Sequence, residues 1–500
     1  MRNTVFRQDP GHVVIMNGAK RIANNTAMIT ISSIIAVVLG FFLTVALARY
    51  LGPGSYGIFA FALAFVALFR VFFDFGLNTV VTREVARYRD QTACFFTNSI
   101  FMEAILSIGF ILVIWMVLQY FGYPAATSVV VLLLATGTAV MVIGELSLAV
   151  FTAYEMRVYE AVTKIIGDLF YLILGFVGIY LQMPLIQIVM LLVVSFLIRA
   201  LMGYLLMVRV IGSSWGELDP KRWLSLLRLA IPFAFAGLFF TLYFNIDMTM
   251  LSYMKGNEQV GFYAVAYRFI TLLVVFPQAF LTTILPMFAR LHVQSKDTLV
   301  YAHEKSVRYL LMIAVPIPFG TTLIAGQLVI GLFGEAYVES VVALQILIWA
   351  SALIFITLCG ATTLQSIDKQ HLCASSLLIC VFVNIGLNMI LIPQYSYIGA
   401  ATATVITELV LFGLYYYHLG NNGLRVGYLN LLARPLLASV AMAAAIYALS
   451  LALSGWQALA QILIIIPVGT VVYGGCLILL GAFGEEDIQI LRSVLERHPS

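Results

Sequence analysis

The chain has 500 residues, of which 62% are apolar and 10% charged, with a net charge of +4 and a mean hydropathy of +1.02. Soluble domains carry about a quarter charged residues, so this composition excludes a soluble globular domain, a disordered chain and a secreted disulfide scaffold. The small, scattered positive charge excludes a nucleic-acid binder.

A helix that crosses the ~30 Å hydrocarbon core needs about 20 mostly apolar residues. Fourteen such runs follow in chain order: 28–48, 57–77, 95–119, 126–150, 160–180, 186–208, 226–250, 261–287, 308–332, 341–362, 372–392, 397–418, 431–453 and 459–482. Turn signals separate them, among them Gly52-Pro53-Gly54, Tyr123-Pro124, Met183-Pro184, Pro393-Gln394 and Asn421-Asn422-Gly423. Of the 27 Lys and Arg residues, 22 fall on one side of this alternation. Arg49 and Lys255 fall on the other, and Arg70, Arg199 and Arg268 inside spans. Basic residues favour the cytoplasmic side, so both termini are expected there, in a multi-pass protein of the cytoplasmic membrane. The polar first 25 residues are not expected to act as a cleaved signal peptide, and residues 78–94 are expected to form an amphipathic interfacial elbow. Cys94, Cys359, Cys373, Cys380 and Cys476 lie without metal-site spacing and are expected as free buried thiols. The pattern GxxxxGK[ST] of an ATP-binding loop does not occur.

One duplication is visible. Gly57-Ile58-Phe59-Ala60-Phe61-Ala62 opens span 2, and Gly261-Phe262-Tyr263-Ala264-Val265-Ala266 opens span 8, 204 residues later. Spans 2 and 8 are equivalent members of two six-span lobes. Since six is even, the repeat is parallel, about an axis along the membrane normal. The expected layout is an all-α integral membrane fold with two six-helix lobes around a central cavity, plus two C-terminal helices. In residues, that is a cytoplasmic tail at 1–27, an N-lobe at 28–208, a cytoplasmic linker at 209–225, a C-lobe at 226–418, helices 13 and 14 within 431–482, and a cytoplasmic tail at 483–500.

Residues 17–87 carry an ARYLGPGSYG turn after span 1, FDFGL at the end of span 2 and a TREVAR elbow. With FNIDMTMLSYMKGNEQVGFYAVAYR at 244–268 and YIGAATAT at 397–404, this stretch resembles the oligosaccharide flippases (Wzx-type polysaccharide transporters) of the MOP exporter superfamily, which also holds MATE drug exporters and lipid II flippases. The resemblance covers spans 1–12. It implies alternating access between two lobes, a polyprenyl-pyrophosphate-linked oligosaccharide as cargo moving from the inner to the outer leaflet, a role in cell-surface polysaccharide synthesis, and contacts with membrane lipid and other polysaccharide-assembly proteins. No catalysis and no cofactor are expected. Coupling to an H+ or Na+ gradient is. The rival readings are a MATE-like antiporter of small molecules and a membrane glycan polymerase or ligase. The arginines inside spans count against the first, and the absence of a large outer loop against the second.

A charge at a helix centre costs about 2.5–3.5 kcal/mol on insertion scales, so charges inside spans face a partner or a cavity. The first lobe carries Arg70 and Asp74 one turn apart on one face, with Asn78 continuing it, then Glu103, Glu145, Asp168 and Arg199. At similar depth these suggest one connected polar layer. The second lobe carries Asp247 and Arg268, joined through a short turn, with Glu408, Asn384 and Asn388 deeper. One reading makes Arg70, Arg199 and Arg268 a cationic site for the carrier's pyrophosphate, since the guanidinium fork grips phosphate oxygens in pairs and stays charged when buried. Asp74, Glu103, Glu145, Asp168 and Asp247 are then coupling or gating carboxylates. The other reading makes them structural ion pairs, Arg70 with Asp74 and Arg268 with Asp247 above all. Tyr56, Tyr243, Tyr263 and Tyr267 read either as platforms for sugar rings or as packing.

Overall fold

In hydrocarbon no water serves the backbone, and a continuous helix satisfies its own N–H and C=O groups. The computed structural model describes residues 10–212 and 215–482, with side chains from residue 35 onward apart from those of 235 and 236. Of the expected tails at 1–27 and 483–500, residues 1–9 and 483–500 lie outside the described residues, and residues 10–27 are helical, as the start of α1. All regular structure among the described residues is helical. The helices are α1 (Pro10–Asp74), α2 (Leu77–Arg87), α3 (Thr92–Tyr120), α4 (Ala125–Ala153), α5 (Arg157–Tyr180), α6 (Leu185–Ile211), α7 (Trp223–Lys255), α8 (Asn257–Gln294), α9 (Lys296–Ala314), α10 (Pro316–Phe333), α11 (Ser340–Ser366), α12 (Gln370–Asn421), α13 (Tyr428–Ala452) and α14 (Ala458–Leu479).

Among the described residues, eleven stretches are long and apolar enough to cross a membrane, or twelve if the bent α7 region counts as one. Two of these stretches, α1 and α12, are each two helices joined across a kink, so each holds two of the fourteen runs expected from the sequence. α1 is interrupted only at Gly52 (φ 71°, ψ 172°), and α12 only at Ser396 (φ 52°, ψ −133°). Each break is a single residue. Pro53, which has no N–H to leave unpaired, restarts the helix after Gly52.

The described chain forms two compact units, residues 10–44 with 69–238 and residues 45–68 with 239–482. In the first, Gly144 and Gly137 of α4 lie against Ala200 and Val193 of α6, so small residues bring the helices close. The core around them includes Val85, Phe96, Leu146, Phe151 and Met207. α2, within the expected elbow, buries Leu77, Val80, Val81 and Val85 on one face. The segment after α6 is pinned to α3 by Asn98. Its amide donates to the carbonyls of Cys94 and Glu217, and its Oδ1 accepts from the Asp219 N–H (2.9 Å) and the Trp223 indole (2.8 Å).

The second unit holds the repeat in its backbone. Gly256 stands 204 residues after Gly52 and shares its left-handed conformation (φ 89°, ψ 169°). A Cβ on Gly57 would overlap the carbonyl oxygen of Asn257, and one on Gly261 would overlap that of Pro53. These four positions are related by the same offset, so the two helix openings meet reciprocally, about a local two-fold. Elsewhere in this unit Phe355 and Cys359 centre one core, and Ile324, Met442, Ile446 and Ile465 dock α13 and α14 on α10.

The obstacle at Gly57 is backbone, which cannot rotate away. Gly57→Ala is therefore expected to cost about 3 kcal/mol, the upper part of the overpacking range. Gly54→Ala, where nothing lies within 4 Å, is expected to be near neutral. Thermal unfolding in detergent checks both.

Candidate functional site

Two polar groupings stand out, one in each unit. In the first, Arg70 and Asp74 share the last turns of α1, yet they do not form the expected i, i+4 pair. Arg70 Nη2 reaches Glu145 on α4, at 2.9 Å to Oε1 and 2.8 Å to Oε2. Asp74 Oδ1 instead accepts from the backbone N–H of Asn78 (2.9 Å) and its side-chain amide (3.0 Å). The reason is local: α2 starts at Leu77, and its first N–H groups have no helical partner, so the carboxylate caps them. Glu103 of α3 is fully buried, and neither of its oxygens receives a donor.

Glu160, which sequence reasoning passed over, joins the group. It accepts from Arg157 (2.8 Å), Lys164 (2.7 Å) and Thr152 (2.9 Å). A cavity of about 450 Å³ is lined by Arg70, Asn78, Thr82, Glu145, Glu160 and Lys164. Arg199 pairs with Asp168 of α5 at 3.6 Å, the partner its own helix lacks, and its aliphatic stem lies over Gly167. Neither residue lines the cavity, so the single polar layer expected from the sequence is instead a cavity cluster and a separate pair.

In the second unit Asp247 does not pair with Arg268. Its carboxylate accepts from Tyr263 Oη (2.9 Å), Asn388 Nδ2 (2.7 Å) and Thr404 Oγ1 (2.7 Å), and Asn388 donates on to Asn384 (2.9 Å). Neutral donors thus surround a buried carboxyl, and the guanidinium of Arg268 has no ion-pair partner among the described residues. Glu408 accepts from Tyr243 Oη beside a cavity of about 10 Å³, room for one water. Tyr56, Tyr243 and Tyr263 are buried, and Tyr263 stacks on Tyr267 at 5.7 Å, so these rings pack against protein here. Thr404 gave no signal in the sequence because a threonine in a helix also bonds the carbonyl four residues back, here Ala400. A third cavity, about 480 Å³ and almost wholly apolar, is lined by residues that include Phe269, Ile317, Ile324, Met442, Ile446 and Ile466.

Residues 22–292 match the family described as Polysaccharide biosynthesis protein, and residues 232–390 match the family described as MatE. The probable low-salt glycan biosynthesis flippase Agl15 of Haloferax volcanii is 24% identical over 177 residues, 35% of this chain. The matched stretch spans 38% of that relative's length. Among solved structures, the lipid II flippase MurJ in an inward closed conformation superposes with a TM-score of 0.74 at 16% identity, covering 90% of this chain and 98% of that one. An inward-facing MATE multidrug transporter of the MOP superfamily gives 0.66 at 15% identity, covering 79% and 98%. At these identities the likeness establishes the fold.

Asp247→Ala would strand three buried donors, at about 1–3 kcal/mol for each left unpaired. It is expected to lower the unfolding temperature well below that of Asp247→Asn, which keeps an acceptor oxygen. Asn98→Leu is expected to expose residues 215–222 to limited proteolysis, since it removes the anchor of that segment.

Proposed function

The chain belongs to the polysaccharide biosynthesis protein family, within the MOP superfamily, and we propose that it flips a polyprenyl-pyrophosphate-linked oligosaccharide from the inner to the outer leaflet of the cytoplasmic membrane by alternating access. The observation that carries this reading lies in the second unit. Arg268, a half-buried cation with no counter-ion among the described residues, precedes Phe269, which lines the large apolar cavity. A cation without a counter-ion and a large apolar cavity in the same unit suit one ligand chemistry, an anionic head on a long hydrocarbon tail. Arg70, over a polar cavity, is the cation of the first unit that a pyrophosphate would meet. Arg199, already paired with Asp168, takes a lesser part. The bias of basic residues to one side supports cytoplasmic termini and hence the direction. Asp74, Glu103, Glu145, Asp168 and Asp247 supply the groups through which an H+ or Na+ gradient drives the cycle.

A second reading, a MATE-like exporter of small molecules, is favoured by the match to the MatE family over residues 232–390.

Proteoliposomes holding a fluorescent polyprenyl-pyrophosphate oligosaccharide test the proposal by the fraction of lipid reaching the opposite leaflet. Arg70→Ala and Arg268→Ala are each expected to slow flipping about tenfold or more, the loss of a charge-assisted contact of about 1.5–3 kcal/mol. No flipping by the native protein, across several glycans and imposed ion gradients, would falsify the reading. Export of a cationic dye under those gradients would favour the second.

A further inference from the structure

A further cavity, of about 450 Å³, lies among helix ends of the second unit, apart from the groups described above. Its walls come from four segments: His292 near the end of α8, Lys296 and Leu299 at the start of α9, Ile367 and Lys369 between α11 and α12, and Leu424 between α12 and α13. Leu299, Ile367 and Leu424 are buried in one apolar cluster and make the apolar part of the wall. Lys369 is half-buried, and His292 and Lys296 stand at the exposed rim. Basic residues at helix ends are ordinary on one side of a membrane protein. These are set apart by converging on a single hollow that no Asp or Glu lines. Neither lysine has an ion-pair partner among the described residues.

The hollow is built by the backbone. α11 ends with Asp368 left-handed (φ 60°), and the Lys369 N–H returns to the Leu364 carbonyl (2.9 Å). α12 ends in the same way, with Gly423 left-handed (φ 73°) and the Leu424 N–H returning to the Leu419 carbonyl (2.9 Å). A Cβ on Gly423 would overlap the Lys296 ammonium, so the bare Cα lets that side chain lie across the turn. His292 and Arg268 both lie on α8, and at 1.5 Å per residue they are about 36 Å apart along the helix. The hollow is therefore separate from the cation that carries the proposed function.

The lining selects among anions. A carboxylate brings one charge and a flat pair of oxygens, which suits a guanidinium fork, and no arginine lines the hollow. A terminal phosphate brings about −1.5 to −2 charges and three acceptor oxygens near neutral pH. Two lysines match that charge, each with three rotatable donors, and the imidazole adds an N–H in either tautomer. We propose that this cavity binds a terminal phosphate group, with Lys296 and Lys369 as its counter-charges and His292 as a further donor. The same chemistry comes from two sources, free phosphate and a lipid whose head is a phosphate monoester. Either one ties four chain segments together, so the bound state is the more stable one.

The test uses the full chain in a neutral maltoside detergent. Inorganic phosphate is titrated against chloride at matched ionic strength. Phosphatidic acid is titrated into the micelles against phosphatidylglycerol, whose phosphate is a diester. Binding is read as a rise in unfolding temperature and, with no substitution at all, as broadening of the phosphorus resonance of the added phosphate or lipid. Phosphate, phosphatidic acid or both are expected to bind, and which of them binds identifies the source. Lys296→Gln and Lys369→Gln together are expected to weaken that binding about tenfold or more. Lys221→Gln, at an exposed lysine of the first unit, is expected to leave it unchanged. Binding of neither probe to the native protein overturns the proposal, as does binding that survives the double substitution. Chloride or phosphatidylglycerol acting as strongly as its phosphate counterpart overturns it in favour of attraction for any anion. None of these readings involves flipping, so the transport assay and this one fail separately.

Discussion

A charge inside hydrocarbon has only the protein to turn to, and this constraint orders both units. At about 2.5–3.5 kcal/mol per uncompensated charge, a few unpaired side chains would consume the 5–15 kcal/mol that a typical domain has in hand. The chain meets the constraint in two ways. In the first unit opposite charges on neighbouring helices pair, Arg70 with Glu145 and Arg199 with Asp168. In the second, neutral hydroxyls and amides surround a carboxylate, as Tyr263, Asn388 and Thr404 do for Asp247. Arg268 has neither kind of partner among the described residues, and the proposed function rests on it.

The same solvent dictates the backbone. Helices continue up to single-residue breaks in α1 and α12 because an exposed peptide group has no partner in lipid. Each break is one residue in a left-handed conformation, Gly52 and Ser396. Close helix approach replaces the hydrophobic drive that lipid removes, and glycine permits it. The reciprocal contact of Gly57 with Asn257 and of Gly261 with Pro53 makes the duplication more than a likeness of letters. Both copies of the opening need a bare Cα because each lies against the other's carbonyl.

The two units therefore offer different chemistry on related scaffolds. The first is ionic and partly open, with a polar cavity under Arg70. The second holds a buried carboxyl nest around Asp247 and, apart from it, a wide apolar cavity. The fold they share with MurJ and MATE structures thus carries different polar groups in its two units.

The amino-acid sequence alone determined the class of fold, the family, the places where the chain turns and the list of charges that demand an explanation. Hydropathy, turn residues and the 204-residue repeat act locally or along the chain, and need no knowledge of neighbours. The sequence did not determine which charge meets which. Spacing suggested Arg70 with Asp74 and Arg268 with Asp247, because only neighbours in sequence are visible there. The structure chose Glu145 for Arg70, since α4 packs beside α1 and the first turn of α2 claims Asp74. Thr404 and Tyr263 were silent as ligands of Asp247, since a hydroxyl on an apolar helix looks the same whether it bonds its own backbone or a distant carboxylate. Pairing across helices is set by which faces pack together, and that is decided only in three dimensions.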